Sequence, residues 1–499
     1  MQLDIDPDST SPLYRQLFER IRQSIHDGNL VPGSRLPASR ELAGELAISR
    51  NTVNSAYDLL VAEGYVDARR GAGYFVARRL PDMVPRAALS EAGEARETGR
   101  GVSRRGEHLA KASRPVTDAG PAFQRGLPAL DRFPFRQWQA HLDRHSRRPD
   151  FRLLRYQDEG GLHELKRALH AYLTRYRGVR ADPDQIIIVT GGQAALDLIA
   201  RLIVDEGDQV AIEEPGYLGA RDALLAAGAT LMPVPVDDEG ICADLIEPGA
   251  RLVYTTPSYQ FPLGVTLSAA RRIALLNWAA DHDGYIIEDD YDSEFRFRGR
   301  PLSCLQGMDQ GGRVIYMGTF SKVMFPALRL GYIVSPRHLA GSFAAALRKT
   351  GQDAPLVLQA AMADFIDSGQ FASHIRRMRN LYRDRQARFV TLARQYLGHL
   401  LDVRATDAGM QLAAPFKVAL DPERVRRSAL AHELDVGLLS SCYLGRPVID
   451  GLFLGYAGVP EEEVESALRR LALACEAVLE DPVRNARVRR SGPPAAGGS

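Results

Sequence analysis

Cysteine is scarce in this chain of 499 residues: Cys242, Cys304, Cys442 and Cys475 lie far apart, and none share a Cys-x-x-Cys spacing. That scatter argues against a cysteine-held zinc site and against a disulfide framework, so no metal is expected and a reducing cytoplasm is. Long apolar runs are lacking too. None approaches the roughly 20 residues of a membrane span, and the acidic, polar start Met1–Ser11 is unlike a signal peptide. A soluble, cytoplasmic protein with no membrane partner is the expectation. Excess charge is also missing: 63 Lys plus Arg stand against 62 Asp plus Glu, a net +1. Any attraction to nucleic acid must therefore be local. No internal repeat is visible.

Lysine is the rarest basic residue, since only Lys111, Lys166, Lys322, Lys349 and Lys417 occur and arginine fills almost every other cationic position. A lysine kept against that background marks a place that needs an amine. Arginine stays protonated, whereas a lysine in a partly dry pocket can lose its proton and condense with an aldehyde. The stretch Tyr316–Tyr332 sets Lys322 beside the hydroxyls of Thr319 and Ser321 and seven residues before Arg329. Hydroxyl donors and a planar cation suit a phosphate, so pyridoxal 5'-phosphate is the aldehyde these residues suggest. On this stretch alone, an ordinary Gly/Ser turn with one surface lysine stays open.

With 45% hydrophobic and 25% charged residues, the chain has the make-up of an ordinary globular protein, and its length calls for more than one core. Near the start, Ser11-Pro12 is expected to cap a first helix carrying Leu13, Leu17, Ile21 and Ile25, which Gly28 stops. Ser39 is expected to cap a short second helix with Leu42, Ala43 and Leu46 on one face. Ser49 caps a third, from Arg50 through Leu60, that buries Val53, Ala56, Tyr57 and Leu60 and turns a polar face outward. Tyr65-Val66 and Tyr74-Phe75-Val76 read as strands joined across Arg69-Arg70-Gly71-Ala72-Gly73.

This order of helix, helix-turn-helix and basic wing resembles the winged-helix DNA-binding domain of the GntR family. The likeness is carried by Pro12-Leu13-Tyr14-Arg15-Gln16, by Gly33 through Leu42 and by Leu59 through Gly64. It implies double-stranded operator DNA as a partner. Candidate contacts are Arg35, Ser39, Arg40, Ser49, Arg50, Asn51, Thr52, Asn54, Arg69, Arg70 and Gly71. Taken singly, the arginines could be solvated charges and the amides ordinary helix-surface polars. Together they fall where a recognition helix offers base-reading groups and flanking arginines meet phosphates. Residues 9–80 hold ten arginines against seven acids, which makes a patch and not a strongly basic domain.

Residues 79–118 lose apolar periodicity and read as a flexible linker, and 481–499 as a disordered tail. Between them, residues 119–480 alternate strand-like runs (186–189, 209–212, 252–255, 285–287 and 314–317) with helical segments, an α/β pattern with a mainly parallel sheet. Thr190-Gly191-Gly192-Gln193-Ala194 opens a helix after a strand, where free amides can hold a phosphate. Ile286-Ile-Glu288-Asp289-Asp290-Tyr291 ends a strand in carboxylates, 33 residues (from Asp289) before Lys322. A carboxylate there can keep a pyridine nitrogen protonated.

With these motifs the body resembles the fold-type-I aminotransferases, and a winged helix (1–78) ahead of it is the architecture of the MocR-type transcription regulators. The resemblance implies that Lys322 forms the Schiff base, that Asp289 faces the pyridine nitrogen, and that Tyr291 donates to the ring oxygen. It likewise implies that Tyr217 stacks on the ring and that Gly192, Gln193, Thr319, Ser321 and Arg329 bind the phosphate. A homodimer and an amine or amino-acid effector, sensed through a Lys322 aldimine, come with it. Two positions depart from the family. Phe453 stands where a carboxylate-binding arginine is usual, and Phe261 where an asparagine is, with Tyr259 and Gln260 as candidates to replace the latter. These departures suit a sensor better than a catalyst. A working aminotransferase with a DNA-binding head remains the alternative, and a bare dimerisation scaffold is a further one.

Overall fold

The structure is a computed structural model. It describes residues 5–6, 11–69, 71–80, 101–103, 106–107, 110, 122–147, 150–156, 160–299 and 303–480. They belong to two compact units divided at residue 100. Most of the expected linker and all of the expected tail lie outside the described residues.

The first unit begins with α1 (Leu13–His26), whose buried stripe is Leu17, Phe18, Ile21 and Ile25. A helix packed on a core buries a band wider than one residue per turn, which is why Phe18 joins and Leu13 stays half-buried. Pro12 takes the N-cap position in place of Ser11, so the helix starts one residue later than expected. Gly28, at φ +75°, follows the helix end in a conformation that glycine tolerates. In α2 (Ser39–Glu45) the expectation also shifts: Ala38 is the N-cap and Ser39 the first helical residue. The Ser39 hydroxyl instead accepts from Arg50 Nε at 3.3 Å. In α3 (Arg50–Ala62) the Ser49 hydroxyl does cap, accepting from the Thr52 amide at 3.0 Å. Val53, Ala56, Tyr57 and Leu60 are buried as expected, and the Tyr57 hydroxyl donates to the Pro37 carbonyl at 2.9 Å, tying α3 to the turn before α2. A hairpin of β1 (Val66–Arg69) and β2 (Gly73–Val76) completes the winged helix.

The second unit is built on an eight-stranded sheet. Its strands are β3 (Ile186–Val189), β4 (Gln209–Glu214), β5 (Thr230–Asp237), β6 (Gly240–Ile241), β7 (Leu252–Thr255), β8 (Tyr285–Asp290), β9 (Val314–Thr319) and β10 (Gly331–Val334). Their order is β3-β10-β9-β8-β7-β4-β5-β6. The run from β9 to β5 is parallel, and only β10 and β6 oppose their neighbours. All five expected strands are present, three of them longer, and β5, β6 and β10 were not foreseen. Alternation decides the faces. Ile187, Val189, Tyr254, Ile287 and Met317 pack under the helices Gly192–Ile203, Leu218–Ala227 and Ala340–Thr350. Val253, Ile286 and Val314 turn to the other face, against the helix Ala269–Asp281. With both faces covered, the strands read as continuous apolar runs. A smaller antiparallel sheet, β11 (Gln411–Pro415), β12 (Gly437–Leu438) and β13 (Gly451–Gly455), has the order β11-β13-β12.

Candidate functional site

The parallel strands β7, β8 and β9 end at one edge of the large sheet, and alternation selects the side chains that meet there. Of the three neighbouring acids on β8, Glu288 accepts from the backbone amides of Leu305 and Gln306 at 2.8 and 2.9 Å. Asp290 pairs with buried Arg177 at 2.7 Å. Only Asp289, on the other face, lines a cavity of about 310 Å³, together with Tyr254, Met317 and Thr319. Tyr254 donates to Asp289 at 2.7 Å. Burial pushes the Asp289 carboxyl up to about 7, against the lowering effect of that hydrogen bond.

Lys322 follows β9 and donates from Nζ to the Gly126 carbonyl at 3.0 Å. Gly126 has φ +60°, a conformation that favours glycine, and a Cβ there would displace the lysine amine. Burial is the largest influence on Lys322 and holds its pKa below the ordinary lysine range; Arg125 pushes the same way while Asp292 and Asp289 oppose. At the other end of the cavity, Gly192 and Gln193 open the helix Gly192–Ile203, whose first amides have no intrahelical acceptor. Thr319 Oγ1 donates to Ser321 Oγ at 3.1 Å. Arg329 adopts a left-handed conformation at φ 51° and joins them in the lining. Tyr217 meets Phe261 edge-on with ring centroids 5.5 Å apart, and the Tyr291 hydroxyl donates to the Tyr259 carbonyl at 2.9 Å.

Gly192, Gln193, Tyr217, Asp289, Tyr291, Thr319, Ser321, Lys322 and Arg329 thus converge on one cavity. Tyr259 and Gln260, the candidates to replace the family asparagine, do not line this cavity. Tyr259 donates to the Gln411 carbonyl at 2.6 Å, and the Gln260 amide is held by the carbonyls of Pro215 and Phe261 at 2.8 and 2.7 Å. Both are buried outside the lining. The lining also contains Arg125, Tyr254, Thr256 and Gln411, which the sequence did not single out. Arg125 reads as a loop arginine and Gln411 as one polar residue in an apolar strand; no local pattern separates them from the ordinary case. Phe453 is fully buried on β13 and packs edge-on against Phe261 at 5.5 Å.

In the first unit Arg35, Arg40, Ser49, Arg50, Asn51, Arg69 and Gly71 are exposed, while Ser39, Thr52 and Asn54 are half-buried. Arg70 lies outside the described residues. Arg69 sits over the Phe75 ring at 4.5 Å, and a Cβ on Gly73 would contact the Arg35 guanidinium at 3.3 Å, so both arginines belong to the wing.

A mainly parallel sheet with a lysine and a carboxylate at its strand ends defines an aminotransferase-type body, and the other unit a winged-helix head. Residues 133–471 match the family "Aminotransferase class I and II", and residues 13–76 match "Bacterial regulatory proteins, gntR family". The chain is 44% identical over 474 residues, 95% of each chain, to the probable rhizopine catabolism regulatory protein MocR of Rhizobium meliloti. It is 29% identical over 472 residues, 95% of this chain and 98% of the other, to the pyridoxine biosynthesis transcriptional regulator PdxR of Corynebacterium glutamicum. Among solved structures it resembles LysN, the α-aminoadipate aminotransferase of Thermus thermophilus complexed with N-(5'-phosphopyridoxyl)-L-leucine. There the TM-score is 0.69 at 26% identity, covering 76% of this chain and 98% of that one. The chain belongs to the MocR-type transcription regulators, in which a GntR-family head precedes an aminotransferase-like body.

Pyridoxal 5'-phosphate is the cofactor bound by the fold-type-I aminotransferases. The donor set fits it: an amine, a buried carboxylate, free helix amides, two hydroxyls and a guanidinium share one cavity. Among the described residues no helix is long and apolar enough to cross a membrane, and no cluster of metal-ligating side chains occurs.

Proposed function

We propose that this protein is a cytoplasmic, homodimeric, DNA-binding transcription regulator that holds pyridoxal 5'-phosphate in its body and senses an amine or amino-acid effector there. The observation that carries this reading is the Lys322 amine, its pKa lowered by burial, in the same cavity as Asp289 and the Thr319, Ser321 and Arg329 cluster. When bound, the cofactor supplies an aldehyde that condenses reversibly with a primary amine. Lys322 is the attachment point, and its lowered pKa favours the neutral, nucleophilic amine. Asp289 would hold a proton on the pyridine nitrogen, with Tyr254 donating to the carboxylate to keep it oriented. The amides of Gly192 and Gln193, the hydroxyls of Thr319 and Ser321, and Arg329 would hold the phosphate, Tyr217 would stack on the ring, and Tyr291 would donate to the ring oxygen.

In the head, α3 enters the major groove with Asn51 and Asn54 toward base edges. Arg35, Arg40, Arg50 and Arg69 meet phosphates, an affinity that falls as salt rises. Phe453 leaves β13 without a carboxylate-binding cation, which favours sensing over rapid turnover.

The purified protein is expected to show a visible absorption band from the attached cofactor, and Lys322→Ala is expected to lose it while keeping its far-ultraviolet circular dichroism. An unchanged spectrum in that variant would overturn the assignment. Rapid multiple-turnover transamination by the wild type would favour a working enzyme instead.

A further inference from the structure

The charges lining the body cavity are unequal. Arg125, Lys322 and Arg329 line it with one carboxylate, Asp289, while Asp292 acts on Lys322 from outside the lining. The proposed cofactor contacts would use Asp289, Arg329 and Lys322, and they leave Arg125 over. Arg125 lies over the Phe453 ring at 5.8 Å, and among the described residues no carboxylate pairs with it. A second donor is left over beside it. Gln411 is 3% exposed, lines the same cavity, and its Nε2 has no hydrogen-bond partner. A buried amide donor left unmade is costly, so this one points to an acceptor that belongs there.

The backbone brings these two groups together from distant parts of the chain. Gln411 on β11 pairs with Gly455 on β13. Gly455 in turn bridges to Phe123, its amide donating to the Phe123 carbonyl at 3.0 Å. A Cβ on Gly455 would lie 3.2 Å from the Arg125 Cα, so the Arg125 segment rests directly on this strand pair. On its other side, the Gly126 carbonyl accepts from Lys322. Arg125 is therefore held next to the amine-binding point by contacts at both ends of its short segment. Phe453 pairs with Ala413, two residues from Gln411, and so forms an apolar wall on the same face.

We propose that Arg125 and Gln411 form the carboxylate-binding end of the effector site, so that the effector is an amino acid and not a simple amine. This rests on the proposed attachment at Lys322. The guanidinium supplies paired N–H donors to the carboxylate oxygens and the Gln411 amide a further one, a geometry suited to a planar anion. It stands in for the cation that β13 lacks at Phe453.

The test titrates L-alanine against ethylamine, L-phenylalanine against 2-phenylethylamine, and 4-aminobutyrate against propylamine, following the visible band of the cofactor-loaded full-length protein. For at least one pair the wild type is expected to bind the acid about 10- to 100-fold more tightly than the amine, the worth of a charge-assisted contact. Arg125→Gln should bring that ratio close to one, Gln411→Leu should reduce it, and Arg125→Lys should restore part of it, with each variant still showing the band. A ratio that survives Arg125→Gln, or a wild type that prefers the amine in every pair, overturns this inference and leaves the cofactor reading standing. A loaded wild type that responds to none of the amino acids also overturns it. Absence of any band from the wild type overturns the cofactor reading, and this inference with it.

Discussion

At the residue scale, the titratable groups behind the cavity matter as much as those lining it. His374 is 2% exposed and donates from Nε2 to the carbonyl of Val323, the residue after Lys322, at 2.9 Å. Burial holds its imidazole down to about 4, outweighing that hydrogen bond, which would raise it. In the unfolded chain a histidine titrates near 6.5. The folded pKa is the lower one, so the unfolded state binds the extra proton first as the pH falls. The stability tied to neutral His374 is thus complete above about pH 6.5, declines from there, and is lost by about pH 4. The shift corresponds to about 3 kcal/mol. Urea denaturation across pH 4–7 is expected to show a steeper acid decline in the wild type than in His374→Gln, which keeps a side-chain donor without the titration. Parallel curves would refute this. Asp289 shows the same physics with the opposite charge: burial raises it to about 7, so its carboxyl titrates near neutral pH, and a cation brought beside it would favour the charged form.

At the scale of elements, α3 does two jobs that mutation can separate. Its Ser49 cap satisfies the Thr52 amide, and Ser49→Ala should cost the head about 1 kcal/mol. Arg50 is exposed and makes one long hydrogen bond, to Ser39, so Arg50→Ala should leave thermal stability almost unchanged. It should nevertheless weaken operator binding and lower the salt dependence of that binding, as expected for one phosphate contact. Fluorescence anisotropy on an upstream fragment and on random duplex checks both; equal affinity for the two at every salt concentration would show that the head does not read sequence. The same helix shows how far local pattern reaches. Ser49, Val53, Ala56, Tyr57 and Leu60 were legible because cap and stripe lie within one helix. The Ser39 expectation failed by one residue, because a serine followed by a helical run fits both the cap and the first turn, and neighbouring backbone decides between them.

At the scale of the whole molecule, the proposed sensing requires the occupied cavity and the DNA-binding head to be coupled. An effector does this only if it binds two arrangements of the protein unequally, and the operator must then bias the same equilibrium in return. An amino acid that converts the cofactor spectrum is expected to change operator affinity or bending by severalfold, the usual size of such coupling. Titrations read by absorbance and anisotropy together check it, and spectral conversion with no change in DNA binding would reject the sensor. The sequence by itself determined the motifs: a lone lysine beside hydroxyls and Arg329, a helix-opening Gly192-Gln193, acids ending a strand, and a capped helix ahead of a basic hairpin. All of these are spacings within short segments, which local backbone geometry converts directly into structure. The family resemblance had already singled out Asp289 among Glu288, Asp289 and Asp290; only the tertiary structure gave the reason, because strand direction and neighbours assign the faces. It alone decided that Tyr259 and Gln260 turn away and that Arg125 and Gln411 turn in. Gly126 and Lys322 meet across a separation of 196 residues, and convergence over such distances is set by packing of the whole body, on which no local spacing bears.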